Sequence, residues 1–283
     1  MILFHKLCLK YISAIICLLA FLSTEAQTLD KKLVFDADSV HMEFDRGTYF
    51  GLYKDNYFIF GPPIGAKSTK HNTNVKFQIS IKQKLTKSIL PGGTYLYLFY
   101  TQKVFWNVLE KSLPMTDLNF NPGIGLVKPV FKNGKYIGKF LLQIEHESNG
   151  RDSIESRSWN KLSLGCNLLI TNNYMVHAKI WIPYVDGKNN KDLLKYVGIG
   201  QVGIELISDD RRWRGSLVLV KRKTWKPDFN TIVEVSWQFS RKADWNLFAQ
   251  YYNGYGEGLL GYNHFSSHLR AGIVISPKFF SNY

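Results

Sequence analysis

Val75-Lys76-Phe77-Gln78-Ile79-Ser80-Ile81-Lys82 alternates apolar and polar side chains without a break. Successive side chains of an extended chain point to opposite faces, so Val75, Phe77, Ile79 and Ile81 line one face while Lys76, Gln78, Ser80 and Lys82 line the other. The same period recurs at Val176, Ala178, Ile180 and Ile182 against His177 and Lys179. It returns at Thr231, Val233, Val235 and Trp237 against Glu234, Ser236 and Gln238, and at Leu269, Ala271, Ile273 and Ile275 against Arg270. About twelve such segments, separated by Gly, Asn, Asp and Pro clusters, predict an all-β chain. No composition shift or fixed-period repeat divides it, so a single domain is expected.

Alternation alone fits both a soluble sandwich, with apolar faces turned inward, and a transmembrane antiparallel β-barrel, with apolar faces turned outward. An even count of about twelve strands and aromatics near strand ends (Trp159, Tyr174, Tyr184, Trp245, Tyr251) favour the barrel. The chain also ends in aromatics, Phe279, Phe280 and Tyr283. The polar faces carry Lys, Gln, Glu and Arg, which a barrel lumen tolerates and a soluble core would have to satisfy in full.

Residues 1–26 read as a secretory signal peptide: Lys6 and Lys10 precede the apolar stretch 12–22, and Thr24-Glu25-Ala26 offers small residues for cleavage. That stretch is too short to cross a bilayer as a helix. Cleavage would remove Cys8 and Cys17 and leave Cys166 alone, so no intramolecular disulfide is expected in an oxidising compartment. The chain is strongly basic, 36 Lys+Arg against 22 Asp+Glu. For a translocated protein that surplus suits an anionic lipid or lipopolysaccharide surface, or a merely solvated basic one, rather than nucleic acid.

The stretch richest in chemistry is the hairpin 140–170. Phe140, Leu142, Ile144, His146 and Ser148 share one face of its first strand, and Asn160, Leu162, Leu164, Cys166, Leu168 and Ile170 share one face of the second. A hairpin folded symmetrically about Ser153 pairs His146 with Asn160, whose Cβ atoms would then lie about 4.5–5.5 Å apart. Ser148, two residues along, could reach the other side of the imidazole. A nucleophile, a base and an orienting amide thus converge at one rim of a lipid-facing wall. An amide in place of a carboxylate avoids a fixed negative charge against lipid. Ser, His and Asn are also ordinary hairpin-end residues, so spacing alone leaves catalysis and interface polarity both open.

The run His146-Glu147-Ser148-Asn149-Gly150-Arg151, with Ser156-Arg157-Ser158-Trp159-Asn160 after it, resembles the signature of the outer-membrane phospholipase A family. Further blocks resemble that family in order: Val75-Lys76-Phe77-Gln78, Tyr100-Thr101-Gln102-Lys103, Lys195-Tyr196 with Gly198, and Gly254-Tyr255-Gly256-Glu257 with Tyr262-Asn263. The resemblance spans roughly residues 47–280. It implies a twelve-stranded barrel in the cell outer membrane, with its active site on the outer surface toward the outer leaflet. It also implies a calcium-dependent hydrolase of phospholipid acyl esters (A1/A2 and lysophospholipase type), active as a homodimer. Roles carry over as Ser148 nucleophile, His146 base and Asn160 orienter, with the Gly150 N–H in the oxyanion hole. For Ca2+ the resemblance implies the carbonyls of Arg151 and Ser156 and the hydroxyl of Ser112 from the partner subunit. Gln102 matches a glutamine that makes a polar contact across the dimer interface; its other reading is a strand-end residue facing the lumen. Residues 27–46 have no family counterpart, so the expected layout is signal peptide 1–26, extension 27–46 and barrel 47–283.

Two other functions are compatible with a Ser–His pair on a barrel. A lipid A deacylase would keep the chemistry and change the substrate, but a carboxylate would be expected where Asn160 stands. A non-enzymatic pore would need an open lumen, which inward Lys, Arg, Glu and Gln side chains can fill.

Overall fold

The computed structural model describes residues 50–86, 90–185 and 187–277. The expected signal peptide, the extension 27–46 and the terminal aromatics Phe279, Phe280 and Tyr283 lie outside the described residues.

The strands are β1 (Phe50–Leu52), β2 (Asn56–Gly61), β3 (Asn74–Lys84), β4 (Tyr95–Trp106), β5 (Met115–Lys132), β6 (Lys135–Ser148) and β7 (Ser158–Leu169). They continue as β8 (Tyr174–Tyr184), β9 (Gly200–Ile207), β10 (Trp213–Lys221), β11 (Phe229–Trp237), β12 (Asn246–Gly254) and β13 (Ser266–Ile275). From β2 onward each strand pairs antiparallel with the next, and β13 returns to β2 through Ala271↔Phe60 and Ile273↔Phe58. The result is a closed ring of twelve strands with no free edge. β1 is the thirteenth label but adds no stave. It lies on the same edge of β3 as β2, with Leu52 opposite Ile81 and Tyr57 opposite Gln78, and residues 53–55 bulge between the two pieces.

The ring is inside out relative to a soluble core, which removes the sandwich alternative. Ile182 is 71% exposed on the outer wall, whereas Arg270 is 1% exposed in the lumen. The buried carboxylates inside are partnered, as burial of ionised groups requires. Lys179 and Lys161 reach Glu145 at 2.6 and 3.5 Å, Arg214 reaches Glu205 at 2.9 Å, and Gln250 donates to Glu234 at 2.7 Å. Side chains fill most of the lumen and leave a cavity of about 230 Å³ beside Lys54, Lys76, Lys103, Glu234 and Glu257. No helix among the described residues is long and apolar enough to cross a membrane; the short turn α1 (Leu194–Val197) and a 3₁₀ turn (Ser153–Glu155) sit in loops.

The two rims differ. The loops 62–73, 107–114, 149–157, 187–199, 222–228 and 255–265 gather at one end, while tight turns such as 133–134 and 170–173 close the other. In barrels of this kind the long loops face outside the cell and the short turns face the periplasm. Aromatics mark both ends of the apolar band. Tyr184 is exposed near the long-loop rim, and the pairs Trp213–Trp237 and Phe239–Trp245 sit at the short-turn rim. Trp159 corrects the girdle reading: it turns into the barrel, is 3% exposed, and packs with Leu193, Leu259 and Tyr262 under the loops.

The last long loop folds down into the mouth. Leu259 N–H donates to Asn119 Oδ1 and Leu260 N–H to Asp117 Oδ2, both at 2.9 Å. Glu257 meets Lys76 at 3.1 Å and Arg270 at 2.7 Å and accepts from the Ser266 hydroxyl at 2.6 Å. This loop closes the lumen beneath the rim that carries the candidate site.

Candidate active site

β6 and β7 pair in the register that hairpin symmetry predicts. His146 faces Asn160, Ser148 faces Ser158, and Ile144 faces Leu162. The alternation leaves Gln143 and Glu145 buried inside and Leu142 and Ile144 exposed outside. His146, Ser148 and Asn160 continue that outer row to its rim end, and all three are half-buried.

His146 Nδ1 and Asn160 Oδ1 are 2.9 Å apart. With the amide oxygen as acceptor, Nδ1 carries the proton and Nε2 is left as the basic nitrogen. Ser148 lies one strand repeat farther toward the rim on the same face. The inward neighbours brace this row from behind. Glu147 accepts from Trp159 Nε1 at 3.1 Å and Lys161 Nζ at 3.3 Å, and these two residues flank Asn160 in sequence. The sequence reading missed Glu147 because its partners depend on cross-strand register rather than on a motif.

The loop after Ser148 is organised by Asn149, another residue the sequence reading passed over. Its side chain is almost fully buried and ties three backbone groups: Oδ1 accepts from Arg157 N–H at 2.9 Å and Arg151 N–H at 3.3 Å, while Nδ2 donates to Glu155 O at 2.8 Å. Gly150 follows with φ +66°, and a Cβ there would sit 2.8 Å from Cε2 of Phe120. Both the left-handed backbone and the lack of space call for glycine. Gly150→Ala is expected to reduce ester hydrolysis at least about tenfold while the barrel still refolds, because strain of about 1 kcal/mol or more displaces the N–H beside Ser148. Initial rates on an ester substrate, read beside the gel mobility of folded protein, check this.

The sequence-predicted residues fall into three places. His146, Ser148, Asn160, Gly150, Arg151 and Ser156 share one hairpin. Ser112, with φ +66°, is exposed on the adjoining loop 107–114. Arg151 links the two regions by donating from Nη2 to Thr116 O at 2.8 Å. Gln102 faces outward from β4, between Ile79 and Phe120, and its row runs through Phe120 to Ser148 two strands away. Tyr100 donates to Gln102 Oε1 at 3.1 Å. The lumen-facing reading of Gln102 therefore drops out.

No group of three His, Cys, Asp or Glu side chains among the described residues could hold a metal, so a cation here would rely on backbone and hydroxyl oxygens. The Ser156 carbonyl accepts from Arg157 Nη1 at 2.9 Å. A carbonyl oxygen has two lone pairs, so one remains on Ser156. Carbonyls such as those of Arg151 and Ser156, joined by a serine hydroxyl and water, would make an all-oxygen donor set of the kind that suits a hard cation such as Ca2+.

Below His146 and Asn160 the outer wall forms an apolar groove of about 620 Å³, running past Ile144, Ile124, Leu98 and Phe50.

The sequence model of the phospholipase A1 family matches residues 54–275. Phospholipase A1 of Escherichia coli is 30% identical over 212 residues, covering 72% of this chain and 70% of the relative. That of Salmonella typhimurium is 30% identical over 287 residues, covering 91% and 95%. Among solved structures, outer membrane phospholipase A from E. coli superposes with TM-score 0.71 at 25% identity over 82% of this chain and 100% of that one. The calcium-bound dimer of the Salmonella typhi outer membrane phospholipase gives 0.70 at 26% identity, over 81% and 93%. An E. coli active-site mutant with an asparagine replaced by alanine gives 0.72 at 25% identity, over 87% and 98%.

Proposed function

The chain belongs to the phospholipase A1 family, and from that premise we propose that it is a calcium-dependent outer-membrane phospholipase working through Ser148, His146 and Asn160 as a homodimer. It is a Gram-negative outer-membrane β-barrel. The observation that carries the catalytic reading is the 2.9 Å contact of His146 Nδ1 with Asn160 Oδ1 on the lipid-facing wall, in one row with Ser148 and above an apolar groove. A related structure in which an asparagine is the mutated active-site residue supports the role given to Asn160.

Ser148 Oγ attacks the ester carbonyl of a phospholipid whose acyl chain lies along the groove. His146 Nε2 takes the hydroxyl proton, and Asn160 keeps the imidazole in the tautomer able to do so. The Gly150 N–H, fixed by its left-handed backbone and by Asn149, donates to the carbonyl oxygen as negative charge develops. His146 then protonates the departing glycerol oxygen and later activates the water that releases the fatty acid. Both A1 and A2 esters and lysophospholipids fit a site that grips the acyl chain and leaves the head group in water.

The carbonyls of Arg151 and Ser156 and the Ser112 hydroxyl of a second copy would hold Ca2+, which when bound adds positive charge beside the oxyanion. Gln102 lies on the outward face between the two copies, where an uncharged amide in hydrocarbon gains most from a polar partner. A Salmonella typhi relative that is a dimer with bound calcium supports this reading.

Fatty-acid release from phosphatidylethanolamine in mixed micelles, with millimolar Ca2+ or with excess chelator, tests it. We expect release to fall at least about 100-fold on chelation and to return on adding Ca2+. Equal rates in both conditions would remove the metal from the proposal.

A further inference from the structure

The loop between β10 and β11 reads Arg222-Lys223-Thr224-Trp225-Lys226-Pro227-Asp228, immediately after Lys221. Its shape is set from within. Lys221 Nζ donates to the carbonyls of Arg222, Thr224 and Lys226 at 2.7, 2.9 and 2.9 Å, so one ammonium gathers the loop's own oxygens. Thr224 Oγ1 bonds Lys226 O and Asp228 Oδ2, both at 3.1 Å. Arg222 pairs with Asp228 at 3.5 Å and lies over the Tyr255 ring at 5.0 Å. Lys223 N–H donates to Leu194 O at 3.1 Å, which docks the loop on α1 and sets Lys195 beside it.

These contacts occupy Lys221 and Arg222. Lys195, Lys223 and Lys226 remain exposed, and Trp225 stands wholly in solvent. The loop is preorganised, so ordering it adds little to the cost of binding. Tryptophan with flanking lysines is the pairing that partitions to an anionic lipid interface, the ring among head groups and the ammonium groups on phosphate.

Position decides which lipid. The loop belongs to the long-loop rim, so the leaflet it meets is the outer one. Two strands, β8 and β9, separate β10 from β7 around the ring, so the patch lies away from the face carrying Gln102 and the triad. It would stay open when two copies meet through that face.

We propose that Trp225, Lys223 and Lys226, with Lys195 beside them, form a docking surface for phosphate-bearing lipid head groups of the outer leaflet. The surface holds the long-loop rim at the head-group level, where a phospholipid displaced into that leaflet would present its ester. This inference rests on the barrel and its rims, independently of the catalytic reading.

The test uses the full protein refolded in detergent micelles, with folding checked by heat-modified electrophoretic mobility. Native mass spectrometry and titration follow binding of diphosphorylated lipid A, its dephosphorylated form, and inorganic phosphate. We expect diphosphorylated lipid A to bind wild type at least tenfold more tightly than the dephosphorylated form. The double variant Lys223→Glu/Lys226→Glu should lose at least tenfold in affinity and Trp225→Ala at least threefold, with ester hydrolysis unchanged in both. Higher salt should weaken binding. Equal binding by the lysine variant, or by dephosphorylated lipid A, would overturn the proposal. Displacement of the lipid by inorganic phosphate at matched concentration would overturn its lipid part.

Discussion

Ser148→Ala should give a barrel that refolds, runs as a folded species on a gel and cross-links as wild type does, yet releases fatty acid at least about 10³-fold more slowly. The separation of folding from activity follows from where the residue sits. Ser148 lies at the rim end of the outward row of β6, half-buried, with neither the lumen ion pairs nor the apolar band depending on it. Its removal deletes one hydroxyl and leaves His146 and Asn160 in contact. Groups that act as a unit in covalent catalysis lose nearly all of their effect when the nucleophile goes, so adding His146→Ala to Ser148→Ala should cost little more. Parallel losses of folding and activity would point instead to a structural part for this end of β6.

The largest stability effect is expected at Glu257. Its carboxylate stands between Lys76 at 3.1 Å and Arg270 at 2.7 Å, all three side chains nearly inaccessible to solvent. Glu257→Ala would leave two cations buried against each other, a change that costs about 3–5 kcal/mol when one member of a buried pair is removed. The same substitution frees the loop 255–265 from the lumen. The urea midpoint in micelles should therefore drop markedly, with proteolysis starting in this loop. The effect has a pH signature. Burial raises the carboxyl pKa, but Lys76, Arg270 and the Ser266 hydroxyl outweigh it and hold Glu257 well below the ordinary carboxylate range. A depressed carboxylate stabilises the fold above its unfolded pKa of about 4.3 and loses that contribution as pH falls toward the folded value. The gap between wild type and variant should narrow below about pH 4 and stay constant above about pH 5. A gap independent of pH would assign the effect to packing.

The outward and inward faces of the hairpin were legible because a period of two has one free choice, and the apolar row Phe140, Leu142 and Ile144 makes it. Symmetry about Ser153 then brings His146 opposite Asn160, as the register has it. Alternation itself supplied the count of about twelve strands and favoured a barrel over a sandwich; the resemblance added the choice between them. Several features lay beyond local pattern. Trp159 reads as a girdle aromatic by position, but its indole N–H finds Glu147 and its ring the underside of the loop 255–265. The break between β1 and β2 has no signal in the alternation. Asn149 looks like any loop asparagine until three backbone groups close around it. The closure of the mouth rests on Leu259 and Asn119, far apart in sequence, and such complementarity appears only once the ring is formed.

The most direct test of the central claim is to treat the refolded protein with a long-chain alkylsulfonyl fluoride and locate the adduct by peptide mass spectrometry. The account predicts one adduct per protomer, on Ser148, formed in step with loss of hydrolysis and absent from Ser148→Ala and from His146→Ala. An adduct on another residue that abolishes activity, or full inhibition with Ser148 unmodified, would contradict it.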